Sequence, residues 1–362
     1  MRLFGVEEEL LIVDAVTLAP APYVDAAIER FERDGASDHE LTVEFKQEQI
    51  EVVSPPQATL DDQIEAIRTG RALADKALGA VGGRVLALPI LPFAYETTLS
   101  SGERYDAIAE QLGYATTEHM TCGFHVHVEV ESHEEGVAIL DRMRPWLPTL
   151  LALSANSPYW RGVDSGYASY RYQMMSRLPT TGPSDAFGSA AEYDDHCRQL
   201  LDSGVPLDPG MIYFDARLSV RYQTLEVRVA DISLTAERAG VIAGLIRALG
   251  ETVAREWRDG GTVPEVSTAV LRVWMWQASR FGVESHLIDP VTHKRAPARD
   301  VVGRLLQTVR PVADELGEMD RIESAVDDIL TSGTGAHLQR QAYTDRGDVL
   351  DIVRNALDLT HR

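Results

Sequence analysis

Cysteine is scarce in this sequence, and so are the features that mark secreted or membrane proteins. Only Cys122 and Cys197 are present, and they form neither a CxxC pair nor a zinc-binding spacing. No apolar run approaches the length of a membrane-spanning helix. The first residues lead directly into a Glu-rich segment, without the apolar stretch of a signal peptide. We therefore expect no disulfide framework, no contact with a membrane and a cytoplasmic location.

Lysine is also rare, and the balance of charge is strongly acidic. The 34 basic residues are three lysines, Lys46, Lys76 and Lys294, and otherwise arginines, against 56 acidic residues. The formal net charge of −22 argues against a general nucleic-acid binder, which would need a basic face. Any anion-binding site must be built mainly from arginine, whose planar guanidinium favours bidentate recognition of carboxylate or phosphate.

The common short motifs for nucleotide binding and nucleophilic catalysis are missing as well. The sequence contains no Walker A pattern, no GxGxxG and no Gly-x-Ser-x-Gly elbow. A bound nucleotide would therefore have to be held through metal ions and arginine side chains rather than by a glycine-rich loop.

The segment 5–13, which reads GVEEELLIV, has the apolar and β-branched composition of a strand. Side chains alternate across a strand, so Glu7 and Glu9 would project from one face and Glu8 from the other. Two carboxylates on one face repel each other unless a positive charge lies between them, and oxygen ligands suit Mg²⁺ or Mn²⁺. The alternative is a solvent-exposed edge strand with its acids in water.

Three further strand-like regions carry polar side chains of the same type. They are the pair 41–45 and 49–53 with Glu44 and Glu51, the segment 119–131 with His125 and His127, and the segment holding Glu226 and Arg228. Each motif alone is compatible with a solvated strand face or a cross-strand charge pair. If the strands lie side by side, their polar faces form one acidic surface with oxygen and imidazole groups. Carboxylates gathered there without neutralising charge would be strongly destabilising, so we expect this surface to bind several metal ions.

Strand-like segments concentrate before residue 230, and helical periodicity dominates after it. Helices are predicted over 23–33, 60–81, 104–112, 134–143, 146–154 and 192–201, and from residue 235 almost to the end, with breaks near 260, 290 and 335. The segment 156–188 has little periodicity, which in a compact domain usually indicates a functional stretch. The pattern predicts an α+β fold with a mainly antiparallel sheet, in a single domain 1–362 that is sheet-rich over 1–230 and helical over 231–362.

Six motifs occur in order along nearly the whole chain. They are GVEEEL at 5–10, QIEVVSP at 49–55, CGFHVHV at 122–128, SRLPTTG at 176–182, DARLS at 215–219 and TLEVR at 224–228. In combination they resemble the type 2 glutamate–cysteine ligase family, the ATP-dependent carboxylate–amine ligases. The resemblance implies a glutamine-synthetase-like fold, in which a curved, mainly antiparallel sheet has helices packed on one side.

The resemblance also implies ATP, two or three Mg²⁺ ions and a set of site residues. By similarity, the metal ligands would be Glu7, Glu9, Glu44, Glu51, His125 and Glu226. His125 is preferred to His127 because it directly follows Gly123 and Phe124. Catalytic roles are assigned to Arg228, Arg177 and Arg171, and cofactor-binding roles to Arg104, Arg217 and Tyr170. The sequence does not divide the arginines between ATP and glutamate.

The expected reaction joins the γ-carboxylate of glutamate to an amine. Phosphoryl transfer from ATP would convert the carboxylate to γ-glutamyl phosphate, and the amine would then displace phosphate. The acceptor is left open between cysteine, the family's nominal acceptor, and another amino compound. We also expect a homodimer. The alternatives are an ammonia-using glutamine-synthetase-like ligase or a guanidino kinase of the same fold, a metal-dependent hydrolase, and a non-catalytic metal-binding protein.

Overall fold

The computed structural model describes residues 2–35 and 37–362. Its strands are, in chain order, β1 (Phe4–Asp14), β2 (Glu40–Val43), β3 (Gln49–Val53), β4 (Gly83–Leu86), β5 (Gly123–Glu129), β6 (Tyr159–Trp160), β7 (Val163–Asp164), β8 (Ala216–Leu218), β9 (Thr224–Asp231), β10 (His286–Ile288) and β11 (Arg295–Pro297). Seven of them form one sheet in the order β2–β3–β1–β5–β9–β8, with β4 also paired to β1. Every pairing in this sheet is antiparallel, as predicted.

Helices follow the sheet in sequence and also connect its strands. They are α1 (Val24–Asp34), α2 (Leu60–Gly79), α3 (Glu103–Leu112), α4 (His133–Met143), α5 (Leu147–Ser154), α6 (Tyr170–Met175), α7 (Ala190–Asp202), α8 (Ala236–Arg258), α9 (Thr268–Phe281), α10 (Ala298–Glu315), α11 (Met319–Ser332), α12 (Gly335–Arg346) and α13 (Val349–Thr360). None of these helices, within the part of the chain that is described, combines the length and the apolar character that a membrane crossing requires.

The core lies on one side of the sheet, where apolar side chains alternate with the polar ones. Leu10 and Ile12 of β1 and Phe124 of β5 are completely buried on this side, and α2 and α8 pack against it. The two helices approach closely at Gly240, where a Cβ atom would lie only 2.3 Å from Cγ1 of Ile64. The opposite side of the sheet is thereby left open for the polar side chains.

Glu8 is the one acid of the Glu-rich segment that points into the core, and an arginine compensates its charge. Arg71 of α2 donates to both carboxylate oxygens of Glu8, at 2.9 and 2.7 Å, and both side chains are 1% exposed. The same guanidinium donates to the backbone oxygens of Ser233, Leu234 and Thr360. Because every donor direction of Arg71 is used within the protein, Glu8 has a structural role.

Two regions differ from the sequence prediction. The stretch after residue 235 was expected to be almost all helical, but it contains the hairpin β10–β11. Its turn is set by Asp289, whose side chain accepts hydrogen bonds from the backbone of Val291 and Thr292, so that the chain reverses instead of continuing as a helix. The aperiodic segment 156–188 contains the short pair β6–β7 and the helix α6.

Candidate active site

The register of five adjacent strands brings the predicted polar residues into one row on the open side of the sheet. The cross-strand partners are Glu51 of β3 with Glu9 of β1, Glu7 of β1 with His125 of β5, His127 of β5 with Glu226 of β9, and Glu226 with Arg217 of β8. Directly opposed residues in an antiparallel pair have their Cβ atoms about 4.5–5.5 Å apart, so their side chains meet. We call Glu7, Glu9, Glu44, Glu51, His125 and Glu226 the acidic floor.

His125 lies at the centre of the acidic floor. Its Nδ1 atom is 3.4 Å from a carboxylate oxygen of Glu7 and 3.9 Å from one of Glu226, and its Nε2 atom is 3.6 Å from Glu9. His127 lies on the same face, with Nε2 3.2 Å from Glu7 and Nδ1 2.9 Å from the hydroxyl of Thr224. Both imidazoles can therefore reach an ion bound to Glu7.

The pairing of β5 with β9 contains an irregularity beside His125, where the register shifts by one residue. A β-bulge of this kind changes the direction of neighbouring side chains and is common next to active sites. Arg228 and Glu226 form an ion pair, although they are only two residues apart on β9. Nη1 of Arg228 also lies 3.5 Å from Nδ1 of His125.

Two carboxylates of the acidic floor, Glu44 and Glu51, form no ion pair with a cation within residues 2–35 and 37–362. Burial, together with the charge of Glu9, raises the pKa of Glu44 to about 8. Burial and the charges of Glu44, Glu7 and Glu9 raise the pKa of Glu51 well above its usual range. The nearest stabilising contacts are neutral donors, such as the hydroxyl of Thr42 at 2.8 Å from Glu51. This end of the floor is arranged to receive positive charge.

The other end of the acidic floor carries its own cations. Although burial acts in the opposite direction, the charges of Arg228 and Arg217 hold the pKa of Glu226 well below its usual range. Burial acts to raise the pKa of Glu7, but the contacts with the imidazoles of His125 and His127 outweigh burial and lower this pKa. These two carboxylates are therefore ionised and ready to act as ligands at neutral pH.

The acidic floor fits divalent metal ions with a preference for oxygen ligands. Three groups of side chains place one ligand atom each within 4.8 Å of the others: Glu9, Glu44 and Glu51; Glu7, Glu51 and His125; and Glu7, His127 and Glu226. In the described part of the chain, Nε2 of His127 is buried and forms no well-aligned hydrogen bond, although it lies 3.2 Å from Glu7, so it can serve as a ligand atom. Carboxylates with one or two imidazoles suit Mg²⁺ or Mn²⁺. The groups share Glu7 and Glu51, so neighbouring ions would share ligands.

A cavity of about 260 Å³ covers the acidic floor, and we call it the first cavity. Nine of the twelve predicted site residues line it: Glu7, Glu9, Glu44, Glu51, His125, Arg104, Arg171, Arg217 and Arg228. Glu226 is buried beneath Arg217 and Arg228 and contacts both. The sequence prediction thus found ten residues that the structure brings together, although their roles stay predictions.

Arg177 and Tyr170 are not among the described residues that line the first cavity. Arg177 donates to Glu118 at 2.8 Å and lines a separate surface cavity. Tyr170 packs against the rings of Trp160 and Tyr167. Both residues lie in the aperiodic segment, where the sequence offers no register from which to infer the direction of a side chain.

Arg171 is buried and lines the first cavity. Its guanidinium donates to the backbone oxygens of Arg228 and Val229 and lies 3.5 Å from the carboxylate of Asp231. Gly123 leaves room for it, because a Cβ atom there would lie 2.3 Å from Nη2 of Arg171. A fixed positive charge therefore stands next to the acidic floor.

Arg217 and Arg104 also line the first cavity. Arg217 forms two hydrogen bonds to Glu226, the shorter of 2.7 Å, and donates to the backbone oxygens of Gly210 and Ile212. Arg104 makes a two-point contact with Asp208 at 2.7 and 3.2 Å. These contacts hold both guanidinium groups in fixed orientations beside the first cavity.

A second cavity, of about 490 Å³, opens on the other side of Glu7. Its wall combines apolar groups with a few polar ones: Leu3, Phe4, Gly5, Val6, Asp38, Glu40, Val53, Ser54, Pro55, Pro56, His127, Glu129, Tyr222, Gln223 and Thr224. Tyr222 stands edge-on to His127, with ring centroids 5.7 Å apart. Glu7 lines both cavities, so the acidic floor lies at their junction.

Several residues of the first cavity were not predicted from the sequence. Tyr105 of α3 donates to the backbone oxygen of Val43 next to the acidic floor, and His119 and Tyr213 also line the cavity. The strand alternation that identified the floor gives no information on helices or loops that fold over it. Only proximity to a motif, as for His119 before CGFHVHV, could have indicated them.

Comparison with known proteins gives consistent results over the full length. Residues 3–355 match the family described as "Glutamate-cysteine ligase family 2". A protein of Paenarthrobacter aurescens named "Putative glutamate–cysteine ligase 2-1" is 50% identical over 366 residues, covering 100% of this chain and 95% of that protein. A protein of Streptomyces coelicolor named "Putative glutamate–cysteine ligase 2" is 42% identical over 353 residues. That alignment covers 98% of this chain and 97% of the other protein.

Solved structures share the fold at much lower identity. A glutamate–cysteine ligase from Francisella tularensis in complex with AMP superposes with a TM-score of 0.71 at 13% identity, over 99% of this chain and 89% of that one. A bifunctional glutathione synthetase from Pasteurella multocida gives a TM-score of 0.74 at 16% identity, over 99% of this chain and 52% of that one. At these identities the likeness concerns the fold.

Proposed function

The chain belongs to glutamate–cysteine ligase family 2 and is an ATP-dependent carboxylate–amine ligase, and we propose that it activates the γ-carboxylate of glutamate with metal-bound ATP on the acidic floor. The predicted family and enzyme class are confirmed by the family match. The predicted glutamine-synthetase-like fold is confirmed by the likeness to solved ligases.

The meeting of two cavities at Glu7 is the observation that carries this proposal. A ligase of this type must bring a nucleotide and a carboxylate together at one point. The second cavity is the larger and offers apolar surfaces to a base, namely Leu3, Pro55 and Tyr222, so we assign it to ATP. The first cavity is smaller and rich in arginine, so we assign it to glutamate.

This assignment revises the predicted roles of two arginines. Arg104 and Arg217 were placed with ATP on sequence grounds, but both line the arginine-rich first cavity. We propose that they recognise carboxylate oxygens of glutamate. A planar guanidinium that is already oriented by Asp208 or Glu226 loses little conformational freedom when it binds a carboxylate.

The proposed reaction proceeds in two steps. A γ-carboxylate oxygen of glutamate attacks the γ-phosphorus of ATP, the bond to the bridging oxygen breaks and ADP leaves. The amine nitrogen then attacks the acyl carbon, the carbon–oxygen bond to phosphate breaks, phosphate leaves with the electron pair and the amine loses a proton. Arg228 lies between Glu226 and His125, where its charge can follow the negative charge that moves during phosphoryl transfer.

The acidic floor would hold the metal ions for the first step. Glu9, Glu44 and Glu51 would bind one ion and Glu7, Glu226 and an imidazole another. Mg²⁺ or Mn²⁺ bound there would neutralise the phosphate oxygens of ATP. The carboxylates, rather than the arginines, would fix the position of the ions, because all of them except Glu44 project from hydrogen-bonded strands.

The proposal is tested with ATP, Mg²⁺, glutamate and hydroxylamine, which traps γ-glutamyl phosphate as the hydroxamate. We expect hydroxamate with the wild-type protein, and a loss of at least about a hundredfold in Arg228→Ala, because removal of one preorganised charge from a transition state has effects of this size. ATP hydrolysis that ignores glutamate, without any hydroxamate, would indicate a phosphohydrolase and overturn the proposal.

We further propose that the enzyme works in the cytoplasm as a homodimer, as expected at the outset. Support for self-association comes from α9, whose outer face exposes Val270, Val273 and Trp276. Sedimentation equilibrium of the purified protein measures its oligomeric state, and a monomer at micromolar concentration would contradict this part of the proposal.

A further inference from the structure

Glu44 is the one residue of the acidic floor that does not lie on a strand of the sheet. The strand β2 ends at Val43 and pairs with β3 only over Glu40–Val43, so the ladder of backbone hydrogen bonds stops just before Glu44. In addition, β2 is an edge strand of the sheet. The position of Glu44 is therefore set by contacts from outside the sheet.

Residues just before α3 and in its first turn supply these contacts, and they hold three consecutive backbone oxygens. The hydroxyl of Tyr105 donates to the backbone oxygen of Val43 at 3.0 Å. Ser100, which is 1% exposed, holds the next two oxygens. Its hydroxyl donates to the backbone oxygen of Glu44 at 2.5 Å, and its backbone nitrogen donates to that of Phe45 at 3.1 Å. The backbone is thereby fixed on both sides of Glu44.

Glu48 anchors the same connection a second time. Both of its carboxylate oxygens accept from the backbone nitrogen of Thr98 at 3.0 Å, and Glu48 is 3% exposed. The backbone oxygen of Thr98 accepts in turn from the backbone nitrogen of Gln47 at 2.9 Å. We call residues 98–105 the bracing segment. It lies across the turn that joins β2 to β3 and contacts this turn near both of its ends.

Without metal, repulsion between carboxylates opposes the observed position of Glu44. One ligand atom each of Glu9, Glu44 and Glu51 lies within 4.8 Å of the others, and like charges at such distances repel. Within residues 2–35 and 37–362, the side chain of Glu44 accepts one hydrogen bond, from the backbone nitrogen of Phe45 at 3.2 Å. Because this donor belongs to the next residue, the carboxylate follows the backbone, and the bracing segment holds that backbone.

We propose that Ser100 is a positioning residue for Glu44, and that the bracing segment thereby sets the affinity of the metal site formed by Glu9, Glu44 and Glu51. The inference rests on the proposed function, in which the acidic floor holds the ions. A ligand that is already held in place loses little freedom when the ion binds, so each contact that holds it favours binding. The second ion, at Glu7 and Glu226, has these ligands on strands and should not depend on the bracing segment.

Ser100→Ala removes the hydroxyl that holds Glu44 and leaves the backbone of the bracing segment unchanged. The probe is Mn²⁺, titrated into the metal-free protein without nucleotide and followed by electron paramagnetic resonance of the free ion. The wild type should bind two ions, and Glu44→Gln identifies the one that depends on Glu44. We expect Ser100→Ala to weaken this ion at least about tenfold and the other less than about twofold, because residues that hold a ligand commonly affect metal affinity to this extent.

The matched control is Ser101→Ala. Ser101 is the neighbouring serine in the bracing segment, and its side chain is exposed. The substitution removes the same hydroxyl group one residue further along the chain, so neither ion should bind more weakly. Urea unfolding of each metal-free variant shows whether it is folded.

Glu48→Ala and Glu48→Gln test the other anchor of the bracing segment. Alanine removes both acceptors of the Thr98 nitrogen, so the ion at Glu44 should again bind about tenfold more weakly. Glutamine keeps one side-chain oxygen at the same place, so Glu48→Gln should retain most of the affinity. This pair decides the question if Ser100→Ala does not fold.

The metal dependence of hydroxamate formation gives an independent reading. In Ser100→Ala, the concentration of free Mg²⁺ that gives half of the maximal rate should rise about tenfold, whereas the rate at saturating Mg²⁺ should stay within about twofold. Excess metal fills the weakened site by mass action. A purely structural role of Ser100 would lower the free energy of unfolding without this shift.

The outcomes separate this inference from the proposed function. Unchanged Mn²⁺ binding in folded Ser100→Ala and Glu48→Ala would overturn it. Equal weakening of both ions would also overturn it, since the bracing segment would then support the fold in general. A wild type that binds no Mn²⁺ would show that the acidic floor is not a metal site, and the inference would fall with it. If Mn²⁺ binding responds as expected but no glutamate-dependent hydroxamate forms, the proposed reaction fails and the positioning role of Ser100 stands.

Discussion

Glu7, Glu8 and Glu9 are identical in chemistry and differ in the direction in which β1 points them. Glu7 and Glu9 face the two imidazoles and the first cavity, whereas Glu8 faces the core and Arg71. Two of the three carboxylates are thus available to a ligand, and the third forms a buried ion pair that stabilises the fold. Substitution of Glu7 should therefore affect mainly activity, and substitution of the adjacent Glu8 mainly stability.

We expect Glu7→Gln to abolish hydroxamate formation without unfolding the protein, because relief of carboxylate repulsion on the floor offsets the lost contacts with His125 and His127. Glu8→Gln should instead lower the free energy of unfolding by about 3–5 kcal/mol, since it leaves the charge of Arg71 buried without its partner. Urea unfolding without metal and the hydroxamate assay, applied to both variants, check this. Equal effects of the two substitutions on stability would contradict the assignment.

At the residue scale, the sequence predicted the direction of a side chain better than it predicted the residue that the side chain contacts. Strand alternation placed Glu7 and Glu9 on one face and Glu8 on the other, because the period of two follows from local backbone geometry alone. Arg71 was not predicted as the partner of Glu8. The two lie 63 residues apart, and their contact depends on how α2 packs against the sheet.

Among the elements, β5 does the most to assemble the site. It supplies His125 and His127, and its first residue, Gly123, gives Arg171 space and donates from its backbone nitrogen to Glu9 at 2.5 Å. The absence of a side chain on Gly123 therefore matters for the position of two neighbours, Arg171 and His125, whose atoms would lie 2.3 and 3.1 Å from an added Cβ atom.

We expect Gly123→Ala to lower kcat for hydroxamate formation by about a hundredfold while the protein stays folded, because a displacement of catalytic groups by about 1 Å has effects of this size. Gly79→Ala is the matched control. An added Cβ atom at Gly79 meets no other atom within 4 Å, and alanine favours a helix, so activity should not change. Equal activity of the two variants would show that Arg171 and His125 can move without consequence.

The sequence predicted most elements close to their observed positions, and it failed where local pattern carries no information. The predicted segments 60–81 and 192–201 became α2 and α7 with shifts of one or two residues at their ends. The bulge beside His125 has no sequence signature, since it arises from the fit of β5 against β9. The coverage of the first cavity by α3 is likewise a tertiary contact.

On the scale of the whole molecule, buried polar contacts join the helical part to the sheet. Gln339 of α12 is 2% exposed, and its Nε2 atom donates to the side-chain and backbone oxygens of Asn156. The backbone nitrogen of Asn156 in turn donates to Asp231 at the end of β9. Asp231 lies beside Arg171, so a helix near the C-terminus supports a residue of the first cavity through two intermediates.

We expect the sheet-rich and helical parts to unfold together, as the predicted single domain requires. Urea unfolding followed by tryptophan fluorescence and by far-ultraviolet circular dichroism should give coincident, single transitions. Gln339→Ala should lower the free energy of unfolding by about 1–3 kcal/mol, because it leaves two buried acceptors without a donor. Both midpoints should therefore fall together. Separate transitions, with only one shifted in Gln339→Ala, would indicate two independent domains.

The guanidinium of Arg71 also has a consequence for the order of events in folding. It joins β1 to the segment after β9 and to Thr360, and these contacts span 63, 162 and 289 residues along the chain. Contacts of such long sequence separation form late, because they close large loops. During synthesis, the strand that carries the Glu-rich segment leaves the ribosome long before the last group that completes the hydrogen bonding of Arg71. The hydrogen bonding of Arg71 is therefore completed only when the final helix has been added, and the back of the acidic floor closes last.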